Sequence, residues 1–172
     1  MNGTTFNPDK QHTLKSAVSI SGTGLHTGVM ADLTLKPASP GFGFQFQRID
    51  LPNQPIIKAD CDLVTDVSRG TTLEAHGAKV GTVEHVLAAL VGMGVDNCLL
   101  EINGPEMPIM DGSSEPFVEL IEEAGVEEQD ESDSLCGSSE AQRRAHHRVG
   151  GELTLTTLPH HRTCGSASGG ST

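Results

Sequence analysis

Glu84 and His85 stand side by side in GTVEHVLAALVGMGVDN, residues 81–97, just ahead of an apolar run. A carboxylate beside an imidazole can serve as an acid–base pair, or as a proton acceptor next to a metal ligand. Val83, Val86, Leu87, Leu90 and Val91 recur at helical spacing, so Thr82 is the expected N-cap, with Glu84 and His85 at the second and third helical positions. The free N–H groups and positive dipole end there favour Glu84 and disfavour an imidazolium. His85 is thereby left open to a metal or a hydrogen-bond partner. Its helical neighbours Ala88, Ala89 and Gly92 put little bulk beneath it. The dipeptide alone is weak, since a first-turn glutamate is common and a nearby histidine is more often structural. His26 in GLHTG, between Gly24 and Gly28, sits at a hairpin end and either contacts a ligand or faces water. Thr71 and Thr72 suit a strand as well as a substrate loop, and Asp111-Gly112 is a turn signal before it is an acid site.

These residues need elements to hold them. TLKSAVSIS places Leu14, Val18 and Ile20 on one strand face, and VMADLTL places Val29, Ala31, Leu33 and Leu35 on another, with GTGLHTG as the hairpin between them. FGFQFQR alternates Phe42, Phe44 and Phe46 with polar or small residues, and TTLEAHGAKV turns at His76-Gly77 as a second hairpin. NCLLEI returns to strand after the helix, MPIMDGSS is a turn, and EPFVELIEEAG is a helix burying Phe117, Leu120, Ile121 and Ala124. This mixture predicts an α+β fold, a two-layer sandwich with a mainly antiparallel sheet and helices on one face.

Composition bounds the partners. With 172 residues and a net charge of −12, the chain offers no basic surface for nucleic acid, and binding to an anionic membrane is disfavoured. No transmembrane segment and no basic, apolar leader is expected, which points to a cytoplasmic protein. Cys61 and Cys98 read as small buried hydrophobes. Up to Val126 there are seven basic and sixteen acidic residues, and beyond it four and seven. EEQDESD at 127–133 carries five acids in seven positions, which predicts a solvated, disordered segment. From Ser134 the amino-acid alphabet narrows, and only ten of the last forty-six residues are apolar. Domains are therefore expected at 1–126, an α+β unit, and 127–172, an acidic then low-complexity tail that is disordered or read out of frame. The rival is an authentic tail in which Cys136, His146, His161 and Cys164 ligate zinc, an idea weakened by their irregular spacing.

SGTGLHTGVMADLTLKPA, VSRGTTL, GTVEHVLAALVGMGVDN and PEMPIMDGSSEPFVELIEEAG, in this order, resemble the N-terminal domain of UDP-3-O-acyl-N-acetylglucosamine deacetylase. The resemblance covers roughly residues 11–126 and is nearest to the group fused to 3-hydroxyacyl-carrier-protein dehydratase. It implies a zinc-dependent hydrolase that removes acetate from an acylated UDP-sugar in lipid A synthesis. It further implies that His85 is a Zn2+ ligand, that Glu84 is the general base, and that His26, Thr71 and Thr72 lie near the substrate. An amide resists attack, so zinc would supply hydroxide near neutral pH and the carboxylate would move its proton.

The family's other two zinc ligands are a His and an Asp four residues apart on a helix of a second domain, with a further His as general acid. No such spacing follows Asp133, because His146, His147, His160 and His161 have no carboxylate at that offset. The expectation is a half-site that does not hydrolyse substrate alone. The alternative is a non-catalytic binding or regulatory module that keeps the deacetylase fold. No local basic patch for a diphosphate is evident in the first 126 residues.

Overall fold

The computed structural model describes residues 10–132. The tail residues Cys136, His146, His147, His160, His161 and Cys164 lie outside them. The described residues belong to one compact unit, Met1–Ser134.

Apolar alternation builds the central sheet. Its strands, β2 (Val18–Thr23), β3 (Met30–Pro37), β4 (Phe44–Arg48), β5 (Ile56–Lys58) and β9 (Cys98–Ile102), lie in the order β2-β3-β9-β4-β5. All neighbours are antiparallel except β4 and β9. The register aligns Val18, Leu35, Leu100, Phe46 and Ile57 as one apolar row across the five strands. The last four are fully buried, so a one-residue slip in any strand would turn its core side chains to solvent. A three-stranded antiparallel sheet holds β6 (Val64–Asp66), β7 (Thr72–Ala75) and β8 (Ala78–Val80). The β7–β8 turn falls at His76-Gly77, as the sequence predicts, with φ of 54° and 74°. Positive φ at both positions matches the right-handed twist of the flanking strands.

Two helices complete the α+β fold, α1 (Glu84–Gly92) and α2 (Glu115–Ala124). They pack on each other, and α2 also packs on β2. The buried residues of α2 are Phe117, Leu120, Ile121 and Ala124, the four expected from periodicity.

Several expectations are corrected. TLKSAVSIS is not one strand: β1 (Lys10–Leu14) ends where the Lys15 N–H donates to the Gly125 carbonyl and the Ser16 hydroxyl to that of Ala124, which turns the chain over the end of α2. Val29 is 52% exposed because the hairpin end, not β3, contains it. Residues 127–132 do not begin a disordered tail, since Val126–Ser132 forms β10 antiparallel to β1. The sequence misses this strand because the groups it pairs with lie far away in the chain. Glu128 faces Lys10 at 3.6 Å, and the Gln129 amide donates to the Ala38 carbonyl and accepts from Asn97. Cys98 is buried as expected, and burial pushes its thiol up to about 12, whereas Cys61 is exposed in a 3-10 turn over Cys61–Leu63.

Candidate active site

The start of α1 differs from the expected capping. Val83, not Thr82, is the N-cap, so Glu84 and His85 are the first and second helical residues. Thr82 has φ of 58°. A β-branched residue in the left-handed region costs roughly 1–3 kcal/mol and needs its surroundings to hold it there. The Thr82 hydroxyl is turned away from the helix and donates to Glu106 Oε1 at 2.9 Å.

The predicted residues form one hydrogen-bonded chain on the side of Glu84. Its Oε2 accepts the Thr71 N–H at 3.0 Å, and the Thr71 carbonyl accepts the Val83 N–H at 3.4 Å. Gly70 permits this approach: a Cβ there would sit 3.2 Å from Glu84 Oε1 and 3.4 Å from Thr82 Oγ1. One residue earlier, the Arg69 carbonyl accepts from His26 Nε2 at 2.7 Å. A carbonyl can only accept, so the proton sits on Nε2 of His26 and Nδ1 is left as an acceptor whenever the ring is neutral. His26, the loop carrying Thr71 and Thr72, and Glu84 are therefore brought together.

His85 stands apart from that chain. The residue is half-buried, and its Nδ1 is buried without a hydrogen-bond partner. The nearby acid is Asp111, whose carboxyl is held below its usual value first by the Ser113 backbone N–H, then by the Ser113 hydroxyl, and least by the charge of His85. The turn reading of Asp111 thus holds, because it accepts both Ser113 groups at 2.9 and 2.8 Å.

Between these segments lies a cleft of about 210 Å3, whose lining includes His26, Arg69, Thr72, Lys79, Thr82 and Glu106. Arg69, from the β6–β7 connection, and Lys79, within β8, meet at this cleft together with Asp66, so the fold gathers charged groups that a linear reading does not show as a patch. Glu106 is the other residue that the sequence reading misses. It is 4% exposed and takes the backbone N–H of Thr27 at 2.8 Å and of His26 at 3.0 Å, besides the Thr82 hydroxyl. Burial pushes its carboxyl up, but these amides and the Thr27 and Thr82 hydroxyls outweigh that and hold it below the usual glutamate value. A single glutamate between prolines in NGPEMP gives no periodic signal.

An orphaned buried imidazole nitrogen beside a carboxylate fits one ligand of a metal centre. Among the described residues, the one group of three potential ligand side chains within mutual reach is Asp60, Cys61 and Asp62, all exposed, and His85 is not in it. Around His85, the described residues do not form a closed metal site.

An α+β domain that sets a Glu-His pair at a helix start, facing a threonine loop and a histidine hairpin, belongs to a recognisable class. The family described as UDP-3-O-acyl N-acetylglycosamine deacetylase, LpxC, matches residues 11–164, and the chain belongs to it. It is 53% identical over 120 residues to a bifunctional enzyme LpxC/FabZ of Bacteroides thetaiotaomicron, covering 70% of this chain and 26% of that protein. It is 52% identical over 120 residues to a UDP-3-O-acyl-N-acetylglucosamine deacetylase of Myxococcus xanthus, covering 70% and 38%. A second LpxC/FabZ enzyme, of Chlorobaculum tepidum, is 50% identical over 121 residues, covering 70% and 26%. The chain spans between a quarter and two fifths of the length of these relatives.

Proposed function

We propose that this fold contributes to a zinc-dependent deacetylase acting on a UDP-3-O-acyl-N-acetylglucosamine in lipid A synthesis, with Glu84 as general base and His85 as one metal ligand. The observation that carries the reading is a buried His85 Nδ1 without a hydrogen-bond partner on the residue next to Glu84, whose carboxylate accepts the Thr71 amide. A zinc ion bound there would polarise the amide carbonyl and lower the pKa of its water. Glu84, with Oε2 held by Thr71, keeps Oε1 beside Gly70 for a proton. His26 offers Nδ1 as an acceptor toward the substrate, and Thr72 lines the same cleft. Arg69 and Lys79 offer positive charge for phosphate oxygens. The remaining ligands and the general acid come from groups other than the described residues, and the reaction proceeds in the cytoplasm.

The test is a chimaera in which residues 11–126 replace the matching segment of the Myxococcus xanthus relative. Acetate release from the UDP-sugar is expected at a rate within about tenfold of the parent. Loss of the general base in Glu84→Gln should cost on the order of 10²–10⁴ in kcat. Full activity in both Glu84→Gln and His85→Ala would overturn the assignment and favour a binding module.

A further inference from the structure

The carboxylate of Glu106 is buried between the β2–β3 turn and the segment that leads into α1. Its backbone is clamped to the segment ahead of α1, with the Gly81 N–H donating to the Pro105 carbonyl at 2.9 Å and the Met107 N–H to the Gly81 carbonyl at 3.0 Å. From that anchor the side chain turns two ways. Oε2 accepts the Thr27 N–H at 2.8 Å and the His26 N–H at 3.1 Å, the latter shared with Oε1 at 3.0 Å. Oε1 also accepts the Thr82 hydroxyl at 2.9 Å. Space has been left for this arrangement, because a Cβ on Gly24 would lie 2.6 Å from Oε2.

The two ends of this bridge are the two walls of the cleft. His26 lies on the β2–β3 turn, and Thr82 lies two residues before Glu84. Three donors, the His26 and Thr27 amides and the Thr82 hydroxyl, make four hydrogen bonds to the carboxylate, which removes it as a base or ligand and suits it to holding geometry. Thr82 is a β-branched residue at positive φ, so its bond to Glu106 fixes the backbone that launches α1.

We infer that Glu106 is a positioning residue: its buried carboxylate ties the His26 turn to Thr82 and so sets the distance between His26 and the Glu84–His85 pair. The inference rests on the deacetylase reading for its functional meaning, but its geometry can be tested without metal or substrate.

The experiment uses the full 172-residue chain, isotopically labelled, with amide and imidazole spectra recorded for the parent, Glu106→Gln and Thr82→Val. In the parent, the His26 and Thr27 amide protons should stand downfield, as donors to a carboxylate do. Glu106→Gln should abolish that downfield position, disturb the single Nε2–H form of His26, and shift the Glu84 and His85 amides, while Ile121 in α2 stays fixed. Thr82→Val should shift the Glu84 and His85 amides and leave those of His26 and Thr27 in place. Unchanged Glu84 and His85 signals in Thr82→Val would overturn the inference, as would an unchanged His26 ring in a folded Glu106→Gln. Should Glu106→Gln fail to fold, Thr82→Val alone decides. An inactive chimaera with these shifts present would sink the deacetylase reading and leave the bridge intact; the converse would do the opposite.

Discussion

Replacing Gly24 by alanine isolates the cost of crowding the Glu106 carboxylate. Gly24 is not among the positive-φ residues, so its backbone accepts an alanine and only space resists it. The added Cβ would lie 2.5 Å from Thr27 Oγ1 and 2.6 Å from Glu106 Oε2, both inside van der Waals contact. The threonine hydroxyl can rotate. The carboxylate cannot retreat without releasing the Thr27 or His26 amide, a loss of roughly 1.5–3 kcal/mol for a charge-assisted hydrogen bond. Crowding adds roughly 1–3 kcal/mol, and the stiffer unfolded chain returns about 0.4–1 kcal/mol. The net expectation is about 3 kcal/mol, or roughly 10 °C in Tm for a fold of this size. Calorimetry on Gly24→Ala, Glu106→Ala and the double variant measures it. With the carboxylate gone the methyl group fits, so the two changes should be coupled by at least about 1 kcal/mol. Purely additive costs would refute the reasoning.

Acid stability should carry the signature of the same carboxyl. Its folded pKa lies below the unfolded value of about 4.3, so its contribution is complete above that value and is lost as pH falls through the folded one. Urea unfolding between neutral and acid pH should therefore show a shallower decline in Glu106→Gln than in the parent, and an identical slope would contradict the assignment. The Arg48 guanidinium, hydrogen-bonded to Asp50, lowers that carboxyl in the same sense, so Asp50→Asn should flatten the acid slope as well. Thiol reactivity should divide the cysteines. Cys61→Ser removes one fast-reacting thiol from the native chain, whereas Cys98→Ser leaves the fast count unchanged because its thiol is buried and titrates at about 12.

Local pattern made much of the fold legible. The period-two rows of Ala31, Leu33 and Leu35, the turn at His76-Gly77 and the buried stripe of α2 all depend on neighbours within a few residues. β10 was illegible because an acidic run becomes a strand only when β1 and Ala38 come to meet it. Thr82 has an N-cap side chain, but a residue 24 positions away claims its hydroxyl. Glu106 reaches His26 and Thr27 across separations of 80 and 79 residues, so no window of sequence shows its role. The resemblance carried Glu84, His85, His26, Thr71 and Thr72. Folding shows that His26, Thr71 and Glu84 share a hydrogen-bonded neighbourhood around Arg69, that Thr72 lines the adjoining cleft, and that His85 keeps an unpartnered nitrogen.

The most direct measurement is anomalous scattering at the zinc edge from crystals of the chimaera that carries residues 11–126 in the Myxococcus xanthus relative, held in excess zinc. A peak about 2.0–2.1 Å from a ring nitrogen of His85, with Glu84 on the same side, is the predicted result. Zinc seated on Asp60–Cys61–Asp62 while the His85 ring stays bare would contradict the account.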